Sequence, residues 1–257
     1  AAMRAQCRVV CAATAAEAGN LLPHETTPPE LIVVAQVRPA EYRLDDLERL
    51  RRRAPLAPVV LLLGPWSEGE MRSGEPLTGV VRVHWHHWLP RFGRQVQWIA
   101  KGVCSSWALP PTATDEERLL WSESKGPDFV RNRPPREGVV AIVAERSEAA
   151  EWLAEACTAL GLRAIRAVLG CRSVLDVAAV IWDMAPGAGD AAELAALTEK
   201  FGKAPIVALC GFARPADRER LLAAGAAAVL SKPLALDDLD WELHRLLAKV
   251  RPESERS

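Results

Sequence analysis

The stretch 205-PIVALCGFARPADRERLLAAGAAAVLSKP-233 decides how the rest of the chain reads. Pro205 to Leu209 is a short apolar run, the length of a buried strand rather than of a helix. From Pro215 to Ala224 charged and apolar residues recur at helical spacing, which predicts an amphipathic helix. Gly225 stops that helix, because glycine enters the left-handed region without a Cβ penalty. Ala226 to Leu230 is a second apolar strand, and it delivers Ser231, Lys232 and Pro233 at its carboxyl end. Strand, helix and strand in this order make a crossover unit, with a lysine on the edge where open parallel sheets bind ligands.

Working backwards, Ala178 to Trp182 (AAVIW) is another buried strand, delivering Asp183 ahead of the turn residues Pro186, Gly187 and Gly189. Val139 to Val143 (VVAIV) delivers Ala144 and Glu145 in the same way. Two acids and a lysine are therefore expected on one rim. From Glu137 to about Leu247 the pattern resembles the receiver (CheY-like) domain of bacterial two-component response regulators. The spacing from Asp183 through PIVAL to AAGAAAVLSKP carries most of that resemblance.

The resemblance implies a doubly wound parallel sheet of the flavodoxin type. It makes Asp183 the phosphoacceptor, fed by a histidine kinase, and Lys232 the contact to the phosphoryl group. A carboxylate is a competent nucleophile, and cations must neutralise charge on the phosphoryl oxygens. It also puts the acidic pair that holds Mg²⁺ on Ala144 and Glu145, so one carboxylate is missing. Glu145, Asp183 and the carbonyl of Ala185 remain as a reduced set for a hard cation that favours several oxygens. Cys210 falls at the Ser/Thr switch position, where a thiol is a weak hydrogen-bond donor. Val229 replaces the switch aromatic, and the turn from Asp183 to Pro186 is one residue short.

The rest of this half is consistent with that fold. Ser147 to Leu160 predicts a helix with Ser147 as N-cap and Trp152, Ala156 and Ala159 or Leu160 toward the core. Arg163 to Ala167 is a weak strand, and Gly170 to Val177 is short for a second helix. Asp190 to Phe201 and Asp237 to Val250 are further helices, the last burying Leu239, Leu243, Leu246 and Leu247, and 251–257 is a frayed tail.

The first half repeats the alternation of strands and helices. Cys7 to Ala13 reads as a strand, Ala15 to Leu22 as a short helix or loop, Leu31 to Ala35 (LIVVA) as a strand and Leu44 to Arg53 as a helix. Val59 to Leu63 (VVLLL) and Gly79 to Val83 (GVVRV) are further strands, and Gln95 to Lys101 is a last helix with Val96, Ile99 and Ala100 on one side. Five-residue apolar strands between helices imply a parallel sheet covered on both faces. The same element order makes residues 1–100 a second, degenerate receiver-like domain. Ala35 and Gln36 stand where Asp183 stands in the other half, and no lysine follows GVVRV.

One constellation in this half is unusual: Trp66, Glu68 and Glu70, followed by His84, Trp85, His86, His87 and Trp88. If the strand runs on to His87, His84 and His86 share one face and Trp85 and His87 the other. Two imidazoles beside Glu68 or Glu70 would suit a divalent metal. An aromatic edge packed on its surroundings, or a protein contact, is the plainer reading. Residues 101–136 are rich in proline and read as a connector holding one short helix, Thr114 to Trp121, with Thr114 as N-cap.

Composition excludes several classes. The charges nearly cancel, 32 basic against 33 acidic residues, and neither half carries a basic stripe, which argues against nucleic acid as partner. No apolar run approaches the roughly 20 residues of a membrane span, and the cytoplasm is the expected compartment. The six cysteines show no CxxC pair and mostly read as small core residues. No Gly-rich phosphate loop, Ser-His-Asp set or cofactor fingerprint points to an enzyme. The expectation is a regulatory signal-transduction protein acting through protein contacts with a kinase or downstream effector, a homodimer included. Asp183 is either a conditional phosphoacceptor or part of a pseudo-receiver, and metal or small-ligand binding at the Trp/His cluster is the other open reading.

Overall fold

The computed structural model of the chain describes residues 7–70, 74–125, 136–168, 176–185, 191–211 and 213–250. It divides into two compact units, Ala1–Gly126 and Pro127–Ser257, with the division inside the stretch read as a connector. No helix among the described residues is long and apolar enough to cross a membrane.

The second unit is built on a parallel sheet of five strands: β4 (Val139–Ala144), β5 (Arg163–Arg166), β6 (Ala179–Asp183), β7 (Ile206–Gly211) and β8 (Ala228–Lys232). Their order is β5-β4-β6-β7-β8, the flavodoxin-like order. The three central strands are nearly continuous apolar runs because helices cover both faces. On one face α5 (Ser147–Ala159) and α8 (Leu236–Val250) pack Leu153, Leu160, Leu239 and Leu243 against Ile142, Ile181 and Leu209. On the other, α6 (Ala191–Phe201) and α7 (Pro215–Ala223) bring Leu194, Leu197 and Leu221 against Val180, Trp182 and Ala208. Gly225 takes φ +112° after α7, the conformation expected of a helix-ending glycine.

Two details of this half differ from the sequence reading. Trp152 points outward, 48% exposed, and the buried face of α5 is Ala150, Leu153, Ala156 and Cys157. The apolar stripe sits about one position further round the helix than the bulk of tryptophan suggested. Ser147 is the first helical residue, with Arg146 at the cap and no side-chain cap bond. The expected turn at Pro186, the short Gly170–Val177 connection and the tail lie wholly or largely outside the described residues.

Among its described residues the first unit has a parallel sheet of three strands, β1 (Ile32–Gln36), β2 (Val59–Leu63) and β3 (Val81–His84), in the order β1-β2-β3. It is not a five-stranded flavodoxin-like domain. Helices α1 (Ala15–Leu21) and α2 (Leu44–Arg53) cover one face, burying Leu47 and Leu50 against Val34, Leu61 and Leu63. Helix α3 (Trp88–Ala100) covers the other, stacking Trp88 on Phe92 and Trp107 over Val60, Val81 and Val83.

Cys7 to Ala13 forms no strand, and residues 7–13 are almost all exposed. The strand read through to His87 ends at His84, and Trp85–His87 is a 3-10 turn into α3. That helix is longer than Gln95–Lys101, and its buried face carries Phe92, Gln95 and Trp98 while Ile99 is 55% exposed. The last helix of the unit, α4 (Asp115–Lys125), has the expected cap: the Thr114 hydroxyl accepts from the Glu117 amide at 3.1 Å, and Glu117 accepts from the Thr114 amide at 2.8 Å. Arg118 ties α4 to the preceding loop through the carbonyls of Ser106 and Pro110.

Candidate functional site

Asp183 and Lys232 end β6 and β8, which flank β7 rather than pairing with each other. Two strand spacings, roughly 10 Å, separate them, and the lysine stem spans most of that gap. The ammonium donates to Asp183 Oδ1 at 2.8 Å and to the carbonyl of Met184 at 2.9 Å. The aspartate side chain is 15% exposed and the lysine 34%, so the pair sits at the rim of the sheet, partly desolvated. Acid and lysine thus converge at the same carboxyl edge, as the strand spacing predicts.

Glu145 follows Ala144, which is in register with Asp183. Its carboxylate is exposed and makes no hydrogen bond or ion pair among the described residues. Ala185, the expected carbonyl ligand, is half-buried after Met184. With alanine at position 144, two carboxylates and one carbonyl are left, and Asp183 already shares an oxygen with Lys232. No group of three or more His, Cys, Asp or Glu able to hold a metal ion forms among the described residues. Such a set would leave the remaining positions of an Mg²⁺ shell to water.

Cys210 is buried, in register with Ser231 on β8, with its Sγ 3.1 Å from Met184 Sδ. Burial pushes the thiol up to about 11, and the nearby Lys232 ammonium offsets part of that shift. A neutral thiol facing a thioether packs as a hydrophobe and offers the rim no strong donor. Val229 is likewise buried in the core. Met184 links the two features, since its carbonyl holds Lys232 and its sulfur meets Cys210. Sequence reasoning passed over it, because a methionine beside an acid carries no pattern of its own.

The first unit places a different set on its equivalent edge. Glu70 is buried and accepts from Arg82 Nη2 at 2.6 Å and from Gln36 Nε2 at 3.1 Å. The Arg82 and Glu70 side chains are 9% and 2% exposed. Gln36, at the carboxyl end of β1, also lies 3.4 Å from the Ser67 hydroxyl. Gln36 Oε1, Arg82 Nη1 and His84 Nδ1 are buried without a hydrogen-bond partner among the described residues. Arg82 was the legible signal, a charged residue inside the apolar run GVVRV that needs a buried counter-charge.

Among the described residues the predicted cluster forms no metal-ligating group. Glu70 is committed to Arg82, and Trp66 stands 73% exposed. The rings of His84 and His86 stack at 5.7 Å, His86 and His87 lie 4.3 Å apart, and Glu68 lies 3.8 Å from His86. The 3-10 turn, not a continued strand, brings the histidines together as an aromatic stack. Burial lowers the His84 pKa, with the neighbouring His87, Arg82 and Arg91 adding to the effect against a smaller pull from Glu70.

Comparison with solved structures returns receiver domains. Over 46% of its length the chain is similar to the signal receiver domain of a signal transduction histidine kinase from Syntrophus aciditrophicus, at 24% identity, 96% of that chain and a TM-score of 0.39. Over 44% it is similar to the receiver domain of a sensor histidine kinase from Pseudomonas aeruginosa, which has a magnesium ion coordinated in its active site cleft (21% identity, 99% of that chain, TM-score 0.38). Over 47% it is similar to a response regulator from Burkholderia pseudomallei with a phosphorylated aspartic acid and a calcium ion (18% identity, 74% of that chain, TM-score 0.38). No protein-family model matches the sequence, and no curated protein does. By the order of its five strands the second unit has the flavodoxin-like fold.

Proposed function

We propose that the chain is a regulatory protein of signal transduction that works through protein contacts, and that its five-stranded unit is a pseudo-receiver whose Asp183–Lys232 pair is a fixed brace. The observation that carries this reading is the pair of hydrogen bonds that Lys232 Nζ donates to Asp183 Oδ1 and to the Met184 carbonyl. It ties the ends of β6 and β8 together across β7 and compensates the aspartate charge. Alanine at position 144 and the buried, neutral Cys210 thiol support the same conclusion. Fold alone does not award phosphoryl transfer, which depends on the site.

Phosphorylation of Asp183 is the competing reading, favoured by the partial exposure of both side chains at the rim. Incubation with acetyl phosphate and Mg²⁺, followed by intact mass, separates the two. The pseudo-receiver reading expects unchanged mass for both the parent chain and Asp183→Asn. A phosphate adduct on the parent chain that disappears in Asp183→Asn overturns it.

A further inference from the structure

β1 is an edge strand with an unused ladder on its outer side. The amide of Ile32 donates to the Pro58 carbonyl and the carbonyl of Gln36 accepts from the Gly64 amide, so residues 32, 34 and 36 turn their peptide groups toward β2. By alternation Val33 and Ala35 turn theirs outward. The Val33 amide and carbonyl and the Ala35 amide have no partner among the described residues. Glu41 accepts from the Val37 amide at 2.7 Å and the Tyr42 hydroxyl donates to the Ala35 carbonyl at 3.3 Å, which closes the edge only at its carboxyl end. The run IVVAQ carries no charge and no proline, the usual protections of an open edge. Cover also thins along the strand: Leu31 and Val33 pack on the core beneath α3, whereas Ala35 is exposed and Val37, just past the strand, is 55% exposed.

We infer that a second copy of this chain docks on the β1 edge, the two strands antiparallel about a twofold axis at Val34. The outward groups are complementary to themselves in that register. Val33 of each copy lies opposite Ala35 of the other, and each such pair exchanges an amide and a carbonyl in both directions. The second lone pair of the Ala35 carbonyl serves this ladder while Tyr42 holds the first. Charge selects the register. With Val34 on the axis, Glu30 of each copy stands opposite Arg38 of the other, and both residues are exposed, one on either side of the strand. Neither side chain makes a hydrogen bond or ion pair among the described residues. Sliding by two residues, the smallest step that keeps the outward groups paired, sets Glu30 against Gln36 or Ala40 and loses both ion pairs. The same register lines up Leu31 with Val37 and Val33 with Ala35 across the axis, one apolar row of cross-strand pairs. An isologous contact of this kind consumes both edges and closes at two copies. It stands whether or not Asp183 accepts a phosphoryl group.

Sedimentation equilibrium of the full chain over a concentration series, with hydrogen exchange on the same samples, tests the docking. The expected result is a monomer–dimer equilibrium in which protection of the Val33 and Ala35 amides rises with concentration. Arg38→Glu sets like charges opposite each other twice and should weaken the dimer about tenfold. Glu30→Arg alone should do the same, and the two changes together should restore it. Ala35→Pro removes an outward amide that β2 does not use, and should abolish the dimer while Val60 and Leu61 of β2 stay slow to exchange. A chain that remains monomeric across the series overturns the inference. So does a dimer that survives Ala35→Pro, which places the contact elsewhere, or one weakened by both single charge changes and not recovered by the double change. Protection of Val33 and Ala35 that is independent of concentration also overturns it, by giving the edge to the chain's own residues.

Discussion

The two sheets fill the same place with different chemistry. β1-β2-β3 and β6-β7-β8 are both runs of three parallel strands in sequence order, and in each the first strand ends at a polar residue, Gln36 or Asp183. In the second unit that residue is a partly exposed carboxylate answered by the lysine two strands away. In the first it is a buried amide answered by Glu70, which is itself held by an arginine from β3. A rim pair open to solvent can be screened or exchanged, whereas a buried charge pair must be complete to be tolerated. The Gln36–Glu70–Arg82 set is thus a structural lock, whereas the Asp183–Lys232 pair stays within reach of solvent.

The sharpest way to break this comparison is to remove one partner from each pair. Glu70→Ala leaves the Arg82 guanidinium buried and uncompensated, and should destabilise the first unit by about 3–5 kcal/mol. Slow-exchanging amides of β2, such as Val60 and Leu61, report that loss. If they are unaffected, the buried lock does not exist. Asp183→Asn should cost the second unit only about 1 kcal/mol, because the pair is partly hydrated and asparagine still accepts from Lys232. Amides of Ile181 and Val207 read this separately, and a loss as large as that of Glu70→Ala would erase the distinction between the rims.

The smallest expected effect is in pH dependence. His84 is held neutral in the fold below its ordinary value of 6.5, chiefly by burial and then by His87, Arg82 and Arg91, against Glu70. The unfolded chain therefore binds this proton first, and stability of the first unit falls as the pH drops below 6.5 and is flat above it. His84→Gln should flatten that decline in denaturant titrations between roughly pH 5.5 and pH 7.5. The second unit, without such a buried imidazole among its described residues, should show no matching change. A slope that survives His84→Gln assigns the proton elsewhere.

Much of the fold was legible in advance, and the failures share a cause. β2, α2, β4 and β6 fall within a residue or so of their expected limits, because each is a short apolar run or amphipathic stretch bounded by proline, glycine or charge. The rim pair was legible too, since strand length alone puts Asp183 and Lys232 at the same edge. What misled was pattern without a neighbour. Cys7–Ala13 has strand composition but no paired strand, and His84–His87 has strand alternation but turns after His84 into a helix. A strand is decided by its partner as much as by its own residues.

By itself the sequence determined the alternation of strands and helices, the parallel character of both sheets and the two residues that meet at the second rim. These follow from periodicity and from the polarity of strand ends, which are local properties. Only the tertiary structure decided that the first sheet stops at three strands, that Glu70 serves Arg82 and Gln36 instead of the histidines, and that Met184 joins the lysine to the buried thiol. Each of those depends on which residues distant in the chain compete for the same buried donor or the same open edge, and no local pattern records the outcome of that competition.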